Sequence, residues 1–305
     1  MIYDVIIVGG GPSGMSAAIY ASRARLKTLL IEKAGCGGQI AITDHLENYP
    51  GFEEGINGFE LAMKMEKQAR TFGCEIVYGE VSFMETDDAI KKVILSDKKE
   101  YFTKTIIIAS GANFRKLGVE GEQEFIGKGV SYCATCDGPF FRNKEIAVVG
   151  GGDSALQEAL YLTKFATKVN LIHRRDQFRA AKILQEKVFA EPKINIIFDS
   201  VVEKISGNIS VEQVMLKNVK NNISSPLNVN GVFVFVGWLP NTKFLENTKI
   251  KLNEAGYIVT DDNMNTSIEG IFACGDVRQK ILRQVVTAAG DGAIAAISAQ
   301  HFIEG

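Results

Sequence analysis

Histidine and tryptophan are scarce in this chain, cysteine is sparse, and neither sign of charge prevails. Lys plus Arg number 34 and Asp plus Glu 36, a net charge of −2 with His neutral. That balance removes the electrostatic reason to expect nucleic acid or an anionic membrane surface as a partner. No apolar run approaches the ~20 residues needed to cross a bilayer. Residues 2–8 begin at once as a strand-like run with no basic leader or cleavage site, which points to a soluble, cytoplasmic protein. The five cysteines, at 36, 74, 133, 136 and 274, are odd in number and too dispersed for the disulfide framework of a small secreted domain. Three histidines (His45, His173 and His301) are too scattered to complete a zinc site with the one close cysteine pair.

Glycine, by contrast, is plentiful, with 30 in 305 residues. At 46% hydrophobic and 23% charged the composition is that of a globular protein, and the length suits two domains. The glycines mark an internal repeat. In the first copy the apolar run 4–8 leads into Gly9-Gly10-Gly11-Pro12-Ser13-Gly14, a small-residue helix over 15–21, and a second apolar run, 28–31, ending at Glu32. In the second, residues 145–149 lead into Gly150-Gly151-Gly152-Asp153-Ser154-Ala155, a helix over 156–162, and a strand over 168–172 ending at His173. Strand, glycine turn, helix and strand is the context that gives GxGxxG or GxGxxA its meaning. The first glycine permits a tight turn, the second lets backbone N–H groups approach a pyrophosphate, and the small third residue lets helix and strand pack closely. The helix N-terminus adds its positive dipole.

The two copies differ at the end of their second strands. Glu32 is a carboxylate able to accept hydrogen bonds from a ribose with free hydroxyls, as in FAD or NAD. The second copy has His173-Arg174-Arg175 there, followed by Arg179, and guanidinium groups suit the 2′-phosphate of NADP(H). Just before the second turn lies Ser131-Tyr132-Cys133-Ala134-Thr135-Cys136-Asp137-Gly138. Zinc would need two further ligands, and a structural disulfide closing two residues constrains little. Beside two dinucleotide turns, a redox dithiol is the better reading of Cys133 and Cys136. Asp137 then serves as a proton donor to a leaving thiolate, or else merely caps a helix.

Two nucleotide turns with this CATCDG segment ahead of the second closely resemble the low-molecular-weight, bacterial type of thioredoxin reductase. The likeness runs through Gly37-Gly38-Gln39, Glu47-Asn48-Tyr49-Pro50-Gly51, Gly237-Trp238-Leu239-Pro240-Asn241-Thr242, Ala273-Cys274-Gly275-Asp276 and Arg283-Gln284. It implies an α/β fold of two Rossmann-like dinucleotide-binding domains (three-layer ββα), the second inserted in the first. The implied segments are 1–114 and 244–305 for FAD, with 115–243 for NADPH and the redox pair. The resemblance further assigns Gly9, Gly11, Pro12, Ser13, Gly14, Glu32, Gly38, Gln39, Asn48, Gly275, Asp276, Arg283, Gln284 and Val285 to FAD. To NADPH it assigns Gly150, Gly152, Asp153, Ser154, Ala155, His173, Arg174, Arg175 and Arg179. Cys136 is expected against the flavin, Cys133 to attack the partner's disulfide, and Asp137 to shuttle the proton. The implied partner is thioredoxin or a thioredoxin-like protein and the implied assembly a homodimer, with hinges near 114–117 and 239–242. Alternatives are a flavoprotein reductase of a peroxiredoxin-type system, which normally carries an extra N-terminal redox domain, and a non-catalytic dithiol redox sensor. Cys74 and Cys274 read as small core residues, Cys36 is open, His45 and His301 have no motif, and Trp238 marks the domain junction.

Overall fold

The computed structural model describes residues 1–305 apart from Asp44, His45, Glu47 and Asp87, and apart from the side chains of Ile42, Thr135 and Cys136. His45, Glu47 and the Cys136 side chain therefore lie outside the described residues. The chain divides into two compact units, Met1–Asn113 with Leu239–Gly305, and Phe114–Trp238.

In the first unit five parallel strands lie in the order Glu75–Tyr78, Thr28–Glu32, Ile2–Val8, Glu100–Ile108, Ile271–Ala273. Val5, Ile6 and Ile7 are fully buried, as expected of a strand covered on both faces. The strand Glu100–Ile108 is shared. Its start pairs antiparallel with Lys91–Leu95, which continues to Val81–Glu85, while its end pairs parallel with Ile271–Ala273. On the sheet pack the helices Pro12–Arg23 and Val285–Glu304, which also pack on each other. Ala17, Ala18, Ala295, Ala296 and Ala299 of the two helices are buried in one core cluster, and a Cβ at Gly292 would run into the Ser13 carbonyl. Small residues let the two backbones meet.

The second unit repeats the plan. Its parallel sheet runs Ile194–Ile197, Lys168–Ile172, Glu145–Gly150, Val232–Phe235, Val130–Ser131. An antiparallel layer of Ser200–Gly207, Val211–Asn218 and Ser224–Asn228 covers one face, with the helix Asp153–Leu162 in the core on the other. The repeat in the sequence is thus a repeat of architecture.

The second unit ends at Trp238 and the chain rejoins the first unit at Leu239. Asn241, in the first unit, exchanges hydrogen bonds with Ser110: Ser110 Oγ donates to the Asn241 carbonyl and Asn241 Nδ2 to the Ser110 carbonyl, each at 2.8 Å. The Asn241 amide adds a bond to the Gly111 carbonyl and Asn113 Nδ2 one to Asn241 Oδ1.

Candidate active site

The turn between the first strand and the first helix is shaped by two steric demands. Gly9 has φ +108°, a conformation side chains rarely adopt, and a Cβ there would strike the Ala109 carbonyl. A Cβ on Gly14 would strike the Gly9 carbonyl, so helix and strand approach as closely as backbones can. Gly11 is different. It is the N-cap of Pro12–Arg23 with φ −72°, and a Cβ would meet no atom within 4 Å. The protein itself does not need glycine at this position; the open space faces the first N–H groups of the helix, where a pyrophosphate fits.

Glu32 reaches back to this turn. Its Oε2 accepts from the Gly10 amide at 2.6 Å and its Oε1 from the Ala34 amide at 3.1 Å. The carboxylate thereby holds the turn, with lone pairs left for ribose hydroxyls. Cys36 packs its Sγ toward Gly10; it is a free, buried thiol, pushed up to about 12 by burial and by Glu66 and Glu32. That argues against a redox role for Cys36. Cys74 and Cys274 are likewise buried, free and pushed up to about 12 by burial.

Distant segments of the first unit converge near the turn. Gly275, with φ +76°, has no room for a Cβ beside Ser13 Oγ. Asp276 follows it, with Oδ1 buried and unpartnered; burial raises its pKa, against the Lys280 and Arg283 charges. Gln39 Oε1 is also buried without a partner. Asn48 donates to Gln284 Oε1 at 2.9 Å, joining residues 236 apart in sequence, and Gln284 caps the helix Val285–Glu304 in a capping box with Thr287. Arg283 lies with its guanidinium 4.1 Å from the centre of the Tyr257 ring. Two orphaned buried oxygens and an open glycine cradle fit a ligand with hydrogen-bond donors and a pyrophosphate, as FAD has. Sequence reading missed Asp291, a buried carboxylate that accepts from the Gly275 amide at 3.0 Å and pairs with Arg278 and Lys280 at 3.2 and 2.7 Å. Its partners lie more than ten residues upstream in a loop, so no local pattern announces it.

The second unit's turn follows the same logic. Gly150 is crowded by Ala155 and the Phe235 carbonyl, whereas Gly152, the N-cap of Asp153–Leu162, is open. Asp153 Oδ1 accepts from the Ala181 amide at 2.7 Å, and the Arg179 amide donates to the Gly151 carbonyl at 2.8 Å, tying the basic loop to the turn. Arg174, Arg175 and Arg179 are exposed, and none is in an ion pair among the described residues. His173 behaves otherwise. It is 5% exposed, its ring fills the space where Gly151 would carry a Cβ, and it packs on Phe178. Burial, with the Arg179 and Arg174 charges adding to it, lowers its pKa, which leaves a neutral imidazole under the turn with Nε2 unpartnered. The structure thus puts the three arginines at the surface and the histidine beneath them.

Cys133 is in a disulfide, at the start of the short helix Ala134–Asp137. Its amide donates to Ser131 Oγ at 3.0 Å, and Ser131 Oγ donates back to the Cys133 carbonyl at 3.1 Å. Ser131, buried and two residues before the pair, was legible only as part of the motif. Asp137 is partly exposed, and its side chain makes no capping bond to the 3-10 turn Gly138–Phe141 that it precedes. The helix-cap reading of Asp137 therefore lacks its bond.

Residues 3–292 match the family model described as pyridine nucleotide-disulphide oxidoreductase. Thioredoxin reductase of Bacillus subtilis (strain 168) is 51% identical over 304 residues, covering 99% of this chain and 95% of the relative; that of Treponema pallidum is 48% identical, covering 99% and 97%. Among solved structures, Lactococcus lactis thioredoxin reductase superposes with a TM-score of 0.87 at 51% identity over 99% of both chains. The T. acidophilum thioredoxin reductase gives 0.85 at 34% identity, covering 100% of this chain and 99% of the other. The chain belongs to the pyridine nucleotide-disulphide oxidoreductase family, among its thioredoxin reductases.

Proposed function

We propose that this chain is an NADPH-dependent thioredoxin-disulfide reductase carrying FAD, and that it works as a cytoplasmic homodimer on thioredoxin or a thioredoxin-like protein. The observation that carries this reading is the Cys133 disulfide, in the same unit as an open glycine turn flanked by three exposed arginines without ion pairs among the described residues. No helix among the described residues is long and apolar enough to cross a membrane. FAD, when bound, supplies a ring that accepts a hydride from NADPH and passes two electrons to a disulfide.

The residues of the chain do the rest. Gly9, Gly11, Pro12, Ser13 and Gly14 shape the pyrophosphate cradle, with Glu32 toward the ribose. Gly38, Gln39, Asn48, Gly275, Asp276, Arg283, Gln284 and Val285 orient the remainder of the flavin nucleotide. Gly150, Gly152, Asp153, Ser154 and Ala155 cradle the NADPH pyrophosphate, and Arg174, Arg175 and Arg179 take its 2′-phosphate, with His173 supporting the turn from below. Two electrons and two protons break the Cys133–Cys136 bond and leave two thiols. Asp137 holds and delivers a proton at its carboxyl. Cys133, as thiolate, then attacks the partner's disulfide, and Cys136 attacks the mixed disulfide, releasing the reduced partner and restoring the Cys133–Cys136 bond.

The test is NADPH oxidation in the presence of small CxxC proteins. Rapid turnover with a thioredoxin-like disulfide is expected. Turnover only with a peroxiredoxin-type partner, or none with any disulfide protein, would overturn this reading in favour of the corresponding alternative.

A further inference from the structure

A buried carboxylate that none of the motifs includes is bonded to the residue that precedes Cys133. Glu122 is 2% exposed. Three groups donate to it: the Leu117 amide and the Tyr132 hydroxyl to Oε1 at 2.7 and 2.8 Å, and the Gly118 amide to Oε2 at 2.7 Å. A buried carboxylate is tolerated only when bonded in this manner, so the arrangement is stiff. Leu117 and Gly118 lie just beyond the outbound crossing, and Tyr132 immediately precedes Cys133. The Tyr132 ring in turn stacks on Phe114 at 5.8 Å, and Phe114 lies 4.4 Å from Trp238. Both ends of the inserted unit and the residue before the disulfide therefore share one cluster. Burial and the bond to Glu122 raise the pKa of Tyr132, so its hydroxyl stays a donor throughout the working range.

We propose that Glu122 is a positioning residue that, through Tyr132, fastens the Cys133 segment to the crossing at Phe114, so that the redox pair moves with the crossing as one body. The inference deepens the function proposed above and rests on it. A residue that only stabilised the local loop would protect the amides it bonds, Leu117 and Gly118. One that positions the pair must also protect those of Cys133 and Asp137, which bond to Ser131 Oγ and to the Cys133 carbonyl.

The test uses the holoenzyme and Tyr132→Phe, with Glu122→Gln as a second variant that keeps the shape. Amide hydrogen exchange is read at 117–118 and at 133–137. Turnover with a disulfide protein is read as a ratio to turnover with ferricyanide, which takes electrons without the dithiol. Exchange at 133 and 137 is expected to quicken tenfold or more in both variants, and the turnover ratio to fall at least fivefold. Unchanged exchange at 133 and 137, or disulfide and ferricyanide turnover falling in proportion, would overturn the proposal. A wild-type protein with no NADPH-dependent disulfide turnover would instead count against the functional reading, while the exchange measurement still decides the role of Glu122.

Discussion

Gly11→Ala separates what the first turn does for the fold from what it does for its ligand. At φ −72° with no atom within 4 Å of the new methyl, alanine meets no strain in the protein itself. A smaller loss of chain entropy gains about 0.4–1 kcal/mol, and the poorer N-cap costs roughly as much. The ligand-free fold should therefore change by no more than about 1 kcal/mol. In the complex the methyl occupies the pyrophosphate's approach, and overpacking of that kind costs typically ~1–3 kcal/mol. That is roughly a 5- to 150-fold weaker affinity for FAD. Gly14→Ala is the control, because its methyl would strike the Gly9 carbonyl and damage the fold with or without ligand. The assay is thermal unfolding of both stripped proteins, followed by titration with FAD read by quenching of flavin fluorescence. If Gly11→Ala bound FAD as the wild type does, or melted as early as Gly14→Ala, the open glycine would not be a ligand cradle.

The same substitution in the second turn, Gly152→Ala, should raise the KM for NADPH at least fivefold and leave FAD retention untouched; a leaching flavin would contradict the separate assignment. Arg174→Ala combined with Arg175→Ala should remove charge-assisted phosphate contacts worth roughly 1.5–3 kcal/mol each, and the ratio of kcat/KM for NADPH to that for NADH should fall more than tenfold. An unchanged ratio rejects the arginines as the 2′-phosphate site. Cys133→Ser should leave a long-wavelength thiolate–flavin absorption, while Cys136→Ser should lack it and trap the partner through Cys133; exchanged phenotypes reverse the roles. Glu158, half-buried on the helix Asp153–Leu162, has its pKa lifted by desolvation from 4.5 to about 7. Its contribution to stability is therefore full below pH 4.5 and lost as the pH rises through about 7, so Glu158→Gln should raise the melting temperature at pH 8 and not at pH 4. Equal shifts at both pH values would show that the carboxyl does not titrate on unfolding as burial implies.

Features set by a local pattern were legible in the sequence. The two glycine turns, the strands that feed them and the residues at the ends of the second strands need only neighbours within some thirty positions. Glu32 and His173 show the limit of that kind of reading. Both lie at matching positions, but the first reaches up to bond Gly10 while the second turns inward under Gly151, and only packing decides this. Asp291 and Glu122 were invisible because their partners come from loops with no periodicity, and their meaning arises from burial. The bonds of Asn241 to Ser110 were equally illegible, since a residue inside a turn-like run carries no sign that it will pair with one from the far end of the insertion.

The shared strand Glu100–Ile108 has a consequence for the order in which the protein is made. Its second half waits for Ile271–Ala273, and the helix Pro12–Arg23 waits for Val285–Glu304, so the first half of the first unit leaves the ribosome long before its neighbours exist. The inserted unit is contiguous, and all its strand partners have been synthesised once Phe235 has emerged. Domains built of near neighbours in sequence close fastest, and nascent chains fold by domain. The younger piece of chain should thus become native before the older one, leaving the end of Glu100–Ile108 an open edge until Ile271–Ala273 pairs with it, and the helix Pro12–Arg23 uncovered until the last helix packs on it.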